Sequence, residues 1–342
     1  MDSTNKNITS NNRLQKINNL RVLAIILVVF IHSIIIYSSS WNLYETSNKV
    51  VLLDYLEKII YIVPMPLFFS ISGYLFFFSQ QKYLTFREFF IKKFKRLIIP
   101  FFCVGLFYLL PIRKLIGYQG YLNKSFFEIL IKNFFLSSDI GHLWYLPTLF
   151  FVFIISELIL LIVKKISYIY EKVEIVFMVI AFILYFVGYR IAFSYPPLMS
   201  AYLYFIWFTL GFFLNKRKSI FNPIYNNKIL KIILVLINII GLIYYGLADN
   251  TSVIFDLGVR ALTIINLFKL IPNTTNKLLD KLGENSFGIY LFHSPLVYIT
   301  FSYIPNINPI ILIFLNFIIF GGIAWAISIL IRKTKLRFVI GE

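Results

Sequence analysis

Runs of about 20 apolar residues, the length that crosses a ~30 Å hydrocarbon core as a helix, follow one another through nearly the whole 342-residue chain. No other feature restricts the fold so strongly. Inside a bilayer no water pairs with backbone N–H and C=O groups, so each run must satisfy its own and is read as an α-helix. The runs are Leu20–Ser40, Ile59–Phe78, Leu97–Gly117, Leu143–Val163, Val173–Phe193, Ser200–Leu214, Ile229–Leu247, Ser252–Ile271, Asn285–Tyr303 and Pro309–Ile331. The expected fold is all-α: a polytopic integral membrane helix bundle of about ten transmembrane helices. A polar, Asn-rich segment at 1–19 precedes the ten-span membrane domain at 20–331, and a short tail follows at 332–342. The first run is longer than the core of a cleavable signal and reads as the first span. Ser125–Leu136 is aromatic-rich but too short to span, and reads as an interfacial or re-entrant helix.

Composition agrees. Apolar residues make up 59% and charged residues 14%, too little charge for a water-soluble domain and too much hydrophobicity for a disordered one. The net charge is nevertheless +18, from 33 Lys and Arg against 15 Asp and Glu. With the N-terminus placed in the cytoplasm, 25 of those 33 fall on cytoplasmic segments, in every alternate loop. That asymmetry is the positive-inside pattern. It predicts a multi-pass protein of the plasma membrane with both termini cytoplasmic. The charge then reports orientation and contact with membrane lipids, with no nucleic acid partner. A single cysteine, Cys103, leaves no disulfide and no cysteine-based metal site, and no metal is expected.

Ionisable groups within spans are costly and default to functional candidates. They are His32, Glu157, Asp256, Arg260 and His293, with Arg21 at the mouth of the first span. Arg21 and His32 are eleven residues apart, about three helical turns, so they share a face at ~16 Å separation. An imidazole there can act as general base, and the arginine can clamp a phosphate. The pair suits an elongated ligand with phosphates at one end and a reactive group at the other, such as an acyl-CoA. It also admits a structural reading, with Arg21 marking the cytoplasmic side and His32 bonded to a neighbouring helix. The run Lys92-Lys93-Phe94-Lys95-Arg96 ahead of Pro100 can hold a nucleotide phosphate, or act as a stop signal or an anionic-lipid site. Gly141-His142-Leu143-Trp144-Tyr145-Leu146-Pro147 opens the fourth span. His142 there can touch an external acceptor, while Trp144 and Tyr145 stack on a sugar ring or belong to the aromatic belt. His293 lies at a depth similar to His32, so the two either share a cavity or each bond a neighbouring helix. Glu157 either orients an imidazole, as a triad carboxylate does, or is a buried protonated acid. Asp256 and Arg260 stand at i and i+4 and are expected to pair. Pro64, Pro66 and the small residues that follow predict a broken, closely packed second span.

Taken in order, these segments resemble the acyltransferase-3 family of membrane acyltransferases, from about Arg13 to Arg332. The resemblance rests on Arg21 and His32 in the first span, Ser72-Gly73-Tyr74 in the second, and Lys93, Arg96 and Pro100. It rests also on the His-Leu-Trp-Tyr-Leu segment from His142 and on Tyr290-x-x-His293-x-Pro295. It implies transfer of a small acyl group, acetyl or succinyl, from cytoplasmic acyl-CoA to a hydroxyl of an extracytoplasmic or lipid-linked glycan. Acetyl-CoA is the expected donor. It implies His32 as the catalytic residue, helped by Glu157 or His293, with Arg21, Lys93 and Arg96 on the donor and His142, Trp144 and Tyr145 on the acceptor side. The family's basic pair is Arg-x-x-Arg; Lys93 keeps the charge but lacks the bidentate fork. Many members carry a fused extracytoplasmic hydrolase-like domain. The expectation here is that transfer is completed by this chain or handed to a separate extracytoplasmic partner protein. The competing readings are an exporter or flippase for a polysaccharide or lipid-linked precursor, and a sensor that binds acyl-CoA without turnover.

Overall fold

The computed structural model describes residues 2–39, 43–79, 85–188, 195–248, 250–274 and 276–342. Lys82 and Arg190 of the charge count, Ser40, and residues 189–193 of the fifth run lie outside them. The chain is helical, with no strand among the described residues. Helix α1 spans Asp2–Ile34, so the first helix begins well before Leu20. Then come α2 (Val51–Tyr61), α3 (Pro64–Ser79), α4 (Phe86–Leu115), α5 (Gly141–Val163) and α6 (Val173–Val187). They are followed by α7 (Pro196–Lys216), α8 (Lys218–Asn226), α9 (Lys228–Leu247), α10 (Val253–Leu270), α11 (Lys277–Tyr303) and α12 (Pro309–Arg332). A short helix at 126–135 carries the aromatic stretch, and a 3-10 turn, Lys335–Ile340, closes the chain.

Among the described residues, seven helical segments are long and apolar enough to cross a membrane: Leu14–Tyr37, Val51–Phe78, α4, α5, α7, α9 and α12. The other three runs of the sequence reading fall on α6, α10 and α11, and do not qualify for physical reasons. The described part of α6 is short. Asp256, Arg260 and Lys269 interrupt α10. In α11 a charged first turn is followed by His293, Ser294 and Pro295, all buried against other helices. That helix is polar because it faces protein.

The second span is broken at Ile62 and Val63, ahead of Pro64 at the start of α3. A proline cannot donate to the preceding turn and pushes the residue before it out of helix. Two π-turns in α4, Phe94–Ile98 and Gly105–Leu109, lie just before Pro100 and Pro111. Each proline removes an i→i−4 bond, and the wider turn absorbs the fault.

The closest packing joins α3 to α7. A Cβ built on Gly73 would stand 1.8 Å from the Phe208 carbonyl oxygen, and one on Gly211 1.8 Å from that of Ser70. Ser70 Oγ donates to the Trp207 carbonyl at 2.8 Å, and Asn215 Nδ2 to that of Tyr74 at 2.7 Å. Small residues let the backbones meet, and polar side chains tie them. The glycine of Ser72-Gly73-Tyr74 is therefore a packing requirement. Gly73→Val is expected to destabilise by at least about 3 kcal/mol, since the obstructing atoms are backbone and cannot repack. The check is the monodisperse peak in detergent size-exclusion chromatography. Gly258→Ala, with nothing within 4 Å of the added atom, is the tolerated control.

Asp256 and Arg260 do not form the expected ion pair. Asp256 accepts from Thr251 Oγ1, and Arg260 Nη2 donates to the Tyr245 hydroxyl at 3.3 Å.

Candidate active site

Three helices bring the chain's three histidines together. His32 sits near the end of α1, His142 in the first turn of α5 and His293 in mid-α11. The His32 and His293 ring centroids are 4.9 Å apart, and those of His142 and His293 5.5 Å. His142 and His293 are buried; His32 keeps some exposure.

The hydrogen bonds fix which ring nitrogen carries the proton, because a carbonyl can only accept. His293 Nδ1 donates within its own helix to Ile289 and Tyr290 at 3.0 and 2.9 Å. Its Nε2 is therefore a lone pair, 3.3 Å from His32 Nδ1. That His32 nitrogen also lies 2.9 Å from the Val28 carbonyl, so it carries hydrogen. The remaining lone pair of His32 is on Nε2, on the ring edge turned away from both partners. It has no hydrogen-bond partner among the described residues. A ring held in this way can serve chemically as an oriented general base.

His142 is set by a different device. Pro295 stands inside α11, so it has no N–H to give to the Leu291 carbonyl four residues back. That carbonyl instead takes the Nε2–H of His142, at 3.0 Å. The Nδ1 of His142 is left buried without a hydrogen-bond partner. Tyr290 Oη donates to the His142 carbonyl.

His32 and His142 line a cavity of about 300 Å³ together with Trp144, Arg113, Asp139, Tyr118, Tyr290 and Tyr298. Arg113 is 1% exposed and bridges Asp139 at 3.1 Å. It lies 4.2 Å from the centre of the Tyr118 ring, whose hydroxyl donates to the other Asp139 oxygen at 2.8 Å. Burial pushes the Tyr118 and Tyr121 hydroxyls above their ordinary titration range, so both remain donors at neutral pH. Gly141 has φ +53, and a Cβ there would stand 2.6 Å from Arg113 Nη2. Only glycine serves this turn.

A second, larger cavity of about 610 Å³ lies beyond Tyr290. Arg21, Lys92, Lys93, Arg96 and Arg332 line it, with the acids Glu284 and Glu342. It holds the whole expected donor set, because the helical spacing of Lys93 and Arg96 places them on one side of α4. Arg21 has no ion-pair partner among the described residues. The Lys93 ammonium is held by rings, 3.6 Å from the Phe153 centroid and 5.3 Å from that of Phe89, a cation–π setting. Arg332 is forked by Glu342, with Nε to Oε2 at 2.9 Å and a second bond from Nη2 to Oε1. The segment at 332–342 is thus folded onto the bundle. Its Gly341, at φ +73, rests on the Arg96 carbonyl, where a Cβ would approach to 2.6 Å.

The remaining sequence candidates separate. Trp144 stacks near Tyr204 at 5.0 Å and lines the histidine cavity. Tyr145, one residue on, turns the other way into the basic cavity and meets Tyr290 edge-on at 5.5 Å. Glu157 lines neither cavity and bonds to none of the imidazoles. It lies one turn past Phe153, at the Lys93 end of α5. The sequence alone assigns no role to Arg113, Asp139 and Arg332, and names Tyr290 only within the Tyr-x-x-His-x-Pro segment. Arg113 carried a signal: it is a basic residue at the end of a span on the side where basic residues are scarce.

A family model described as an acyltransferase domain, acyltransferase-3, matches residues 14–333. No curated protein and no solved structure matches the chain.

Proposed function

The chain belongs to the acyltransferase-3 family and is a multi-pass membrane acyltransferase; on that premise we propose that it moves a small acyl group from acyl-CoA to a sugar hydroxyl, with His32 as base. Acetyl is the group and acetyl-CoA the donor in this reading. The acceptor is an extracytoplasmic or lipid-linked glycan. No metal takes part. The observation that carries the reading is the pairing of a basic cavity with a histidine cavity that meet at Tyr290.

The phosphates of CoA occupy the basic cavity, against Arg21, Lys93 and Arg96. Guanidinium forks bind phosphate with charge-assisted bonds. The pantetheine arm extends along α1 toward His32, ~16 Å further on. The acceptor sugar enters the histidine cavity, where Trp144 offers a stacking face and the Tyr118 oxygen an acceptor. His32 Nε2 takes the hydroxyl proton as the oxygen attacks the thioester carbonyl. The C–S bond then breaks, and the proton returns from His32 to the departing thiolate, giving free CoA. A two-step route through an acyl-imidazole uses the same nitrogen. His293 positions His32, and His142 lies on the acceptor side. Glu157, bonded to none of the imidazoles and outside both cavities, is given no proton-transfer role in this scheme. The basic cavity faces the cytoplasm of the plasma membrane in this scheme, as do both termini.

The test supplies radiolabelled acetyl-CoA to membranes containing the chain, and reads free CoA and label in the glycan fraction. Release of CoA with a matching glycan mass shift of one acyl unit supports the reading. Glycan export without CoA release supports the exporter. CoA bound without turnover supports the sensor.

Arg332, which also lies 3.7 Å from Glu284, gains freedom to face the donor cavity once Glu342 lets go of it. Both side chains are about a third exposed, so their bond is worth at most ~1 kcal/mol. Glu342→Gln is therefore expected to tighten CoA binding by up to about fivefold, measured by calorimetry in detergent. Unchanged or weaker binding removes Arg332 from the phosphate site.

A further inference from the structure

Tyr290 is, among the described residues, the one that lines both cavities. It is 3% exposed. On one side its ring meets Tyr145 of the basic cavity, with centroids 5.5 Å apart; on the other it meets His142, at 5.6 Å. The His293 ring lies 6.1 Å away. Its hydroxyl bond to the His142 carbonyl holds the ring between the two spaces. On the donor assignment above, a thioester whose nucleotide stays among Arg21, Lys93 and Arg96 passes beside this ring on its way to His32.

We propose that Tyr290 is the specificity-determining residue for the acyl group: its ring partitions the two cavities and walls the space beside His32, which takes a short acyl chain and excludes a long one. The proposal rests on the donor and base assignments above and adds to them a limit on donor class, short-chain acyl thioesters. The physical cause is steric. Protein interiors are packed to near crystal density, and the rings of Tyr145, His142 and His293 back Tyr290, so an acyl chain extending from a thioester at His32 meets this wall, and the methylenes that overfill the cavity need room that displacement of the tyrosine supplies. The hydroxyl tie resists that displacement, because leaving it strands a buried carbonyl.

The experiment presents acetyl-, butyryl- and octanoyl-CoA to membranes that hold the full chain and its natural acceptor, and reads CoA release and acyl label in the glycan. The quantity compared is the butyryl-to-acetyl ratio. Tyr290→Ala is expected to raise this ratio at least tenfold. Tyr290→Phe keeps the ring and is expected to hold the ratio within twofold, whatever happens to the rate. Where Tyr290→Ala loses its monodisperse peak in detergent, Tyr290→Leu replaces it, with an expected rise of at least threefold. A tyrosine that only supports the fold lowers release from all donors by one factor and leaves the ratio fixed; that outcome overturns the proposal. The parent protein tests the underlying reading separately. A parent that releases CoA from acetyl-CoA, beside Tyr290 variants of unmoved ratio, withdraws the role of Tyr290 alone. A parent that neither binds CoA nor releases it withdraws the donor assignment and this proposal together.

Discussion

His32→Ala is expected to reduce CoA release and glycan acylation by 10²-fold or more, within the range of about 10²–10⁴ that one positioned general base supplies. The nitrogen lost is the Nε2 lone pair, which the contacts of Nδ1 with Val28 and His293 turn toward the cavity. No other candidate group is placed to replace it. His142 spends its Nε2–H on the Leu291 carbonyl, and its free Nδ1 is buried. His293 is fully enclosed. The fold should survive, because the His32 ring is partly exposed and supports no helix contact beyond His293. CoA affinity, set ~16 Å away, should stay within about twofold. Measuring both separates the cases. Lost turnover with retained CoA binding supports the base assignment, whereas turnover within tenfold of the parent ends it.

Arg21→Gln is expected to weaken CoA binding by about 10- to 100-fold, the loss of one charged hydrogen-bonding group at ~1.5–3 kcal/mol. Arg21 has no acidic partner in the protein among the described residues, so its removal strands no carboxylate and the change reads on the ligand. The effect should appear in KM and in the dissociation constant, with kcat little altered, since the guanidinium lies away from the reacting atoms. Arg21→Lys should fall between, keeping charge and losing the fork. Titration of free CoA by calorimetry checks both. Equal affinity in parent and Arg21→Gln would remove this residue from the donor cavity.

The helical character of the runs was legible because lipid imposes one backbone solution on each span; the starts of α1, α2, α4 and α11 were not, because those helices continue beyond the apolar core. The shared depth of His32 and His293 was legible from helical rise alone, and their meeting in space follows from α11 packing on α1. Other features depend on tertiary contact and leave no trace in spacing. Trp144 and Tyr145 are neighbours in a 3-10 turn running into helix, where successive side chains diverge by roughly 100–120°, so one motif serves two cavities. The Arg113–Asp139 bridge joins residues 26 apart through a loop that no periodicity describes. Hydropathy marked α11 as a span without showing that its polar side chains are buried against protein. The fold of 335–340 onto α4 rests on Gly341 and Arg96, one glycine and one carbonyl.

Pro295 places a functional acceptor in the main chain. The Leu291 oxygen that directs His142 belongs to no side chain, so every substitution at residue 291 leaves it in place. The genetic vulnerability of that histidine lies four residues away, at the proline, where an ordinary amino acid would reclaim the carbonyl for its own helix. A scan of side chains at residue 291 would find tolerance. A scan of the backbone's missing donors would find the position that matters.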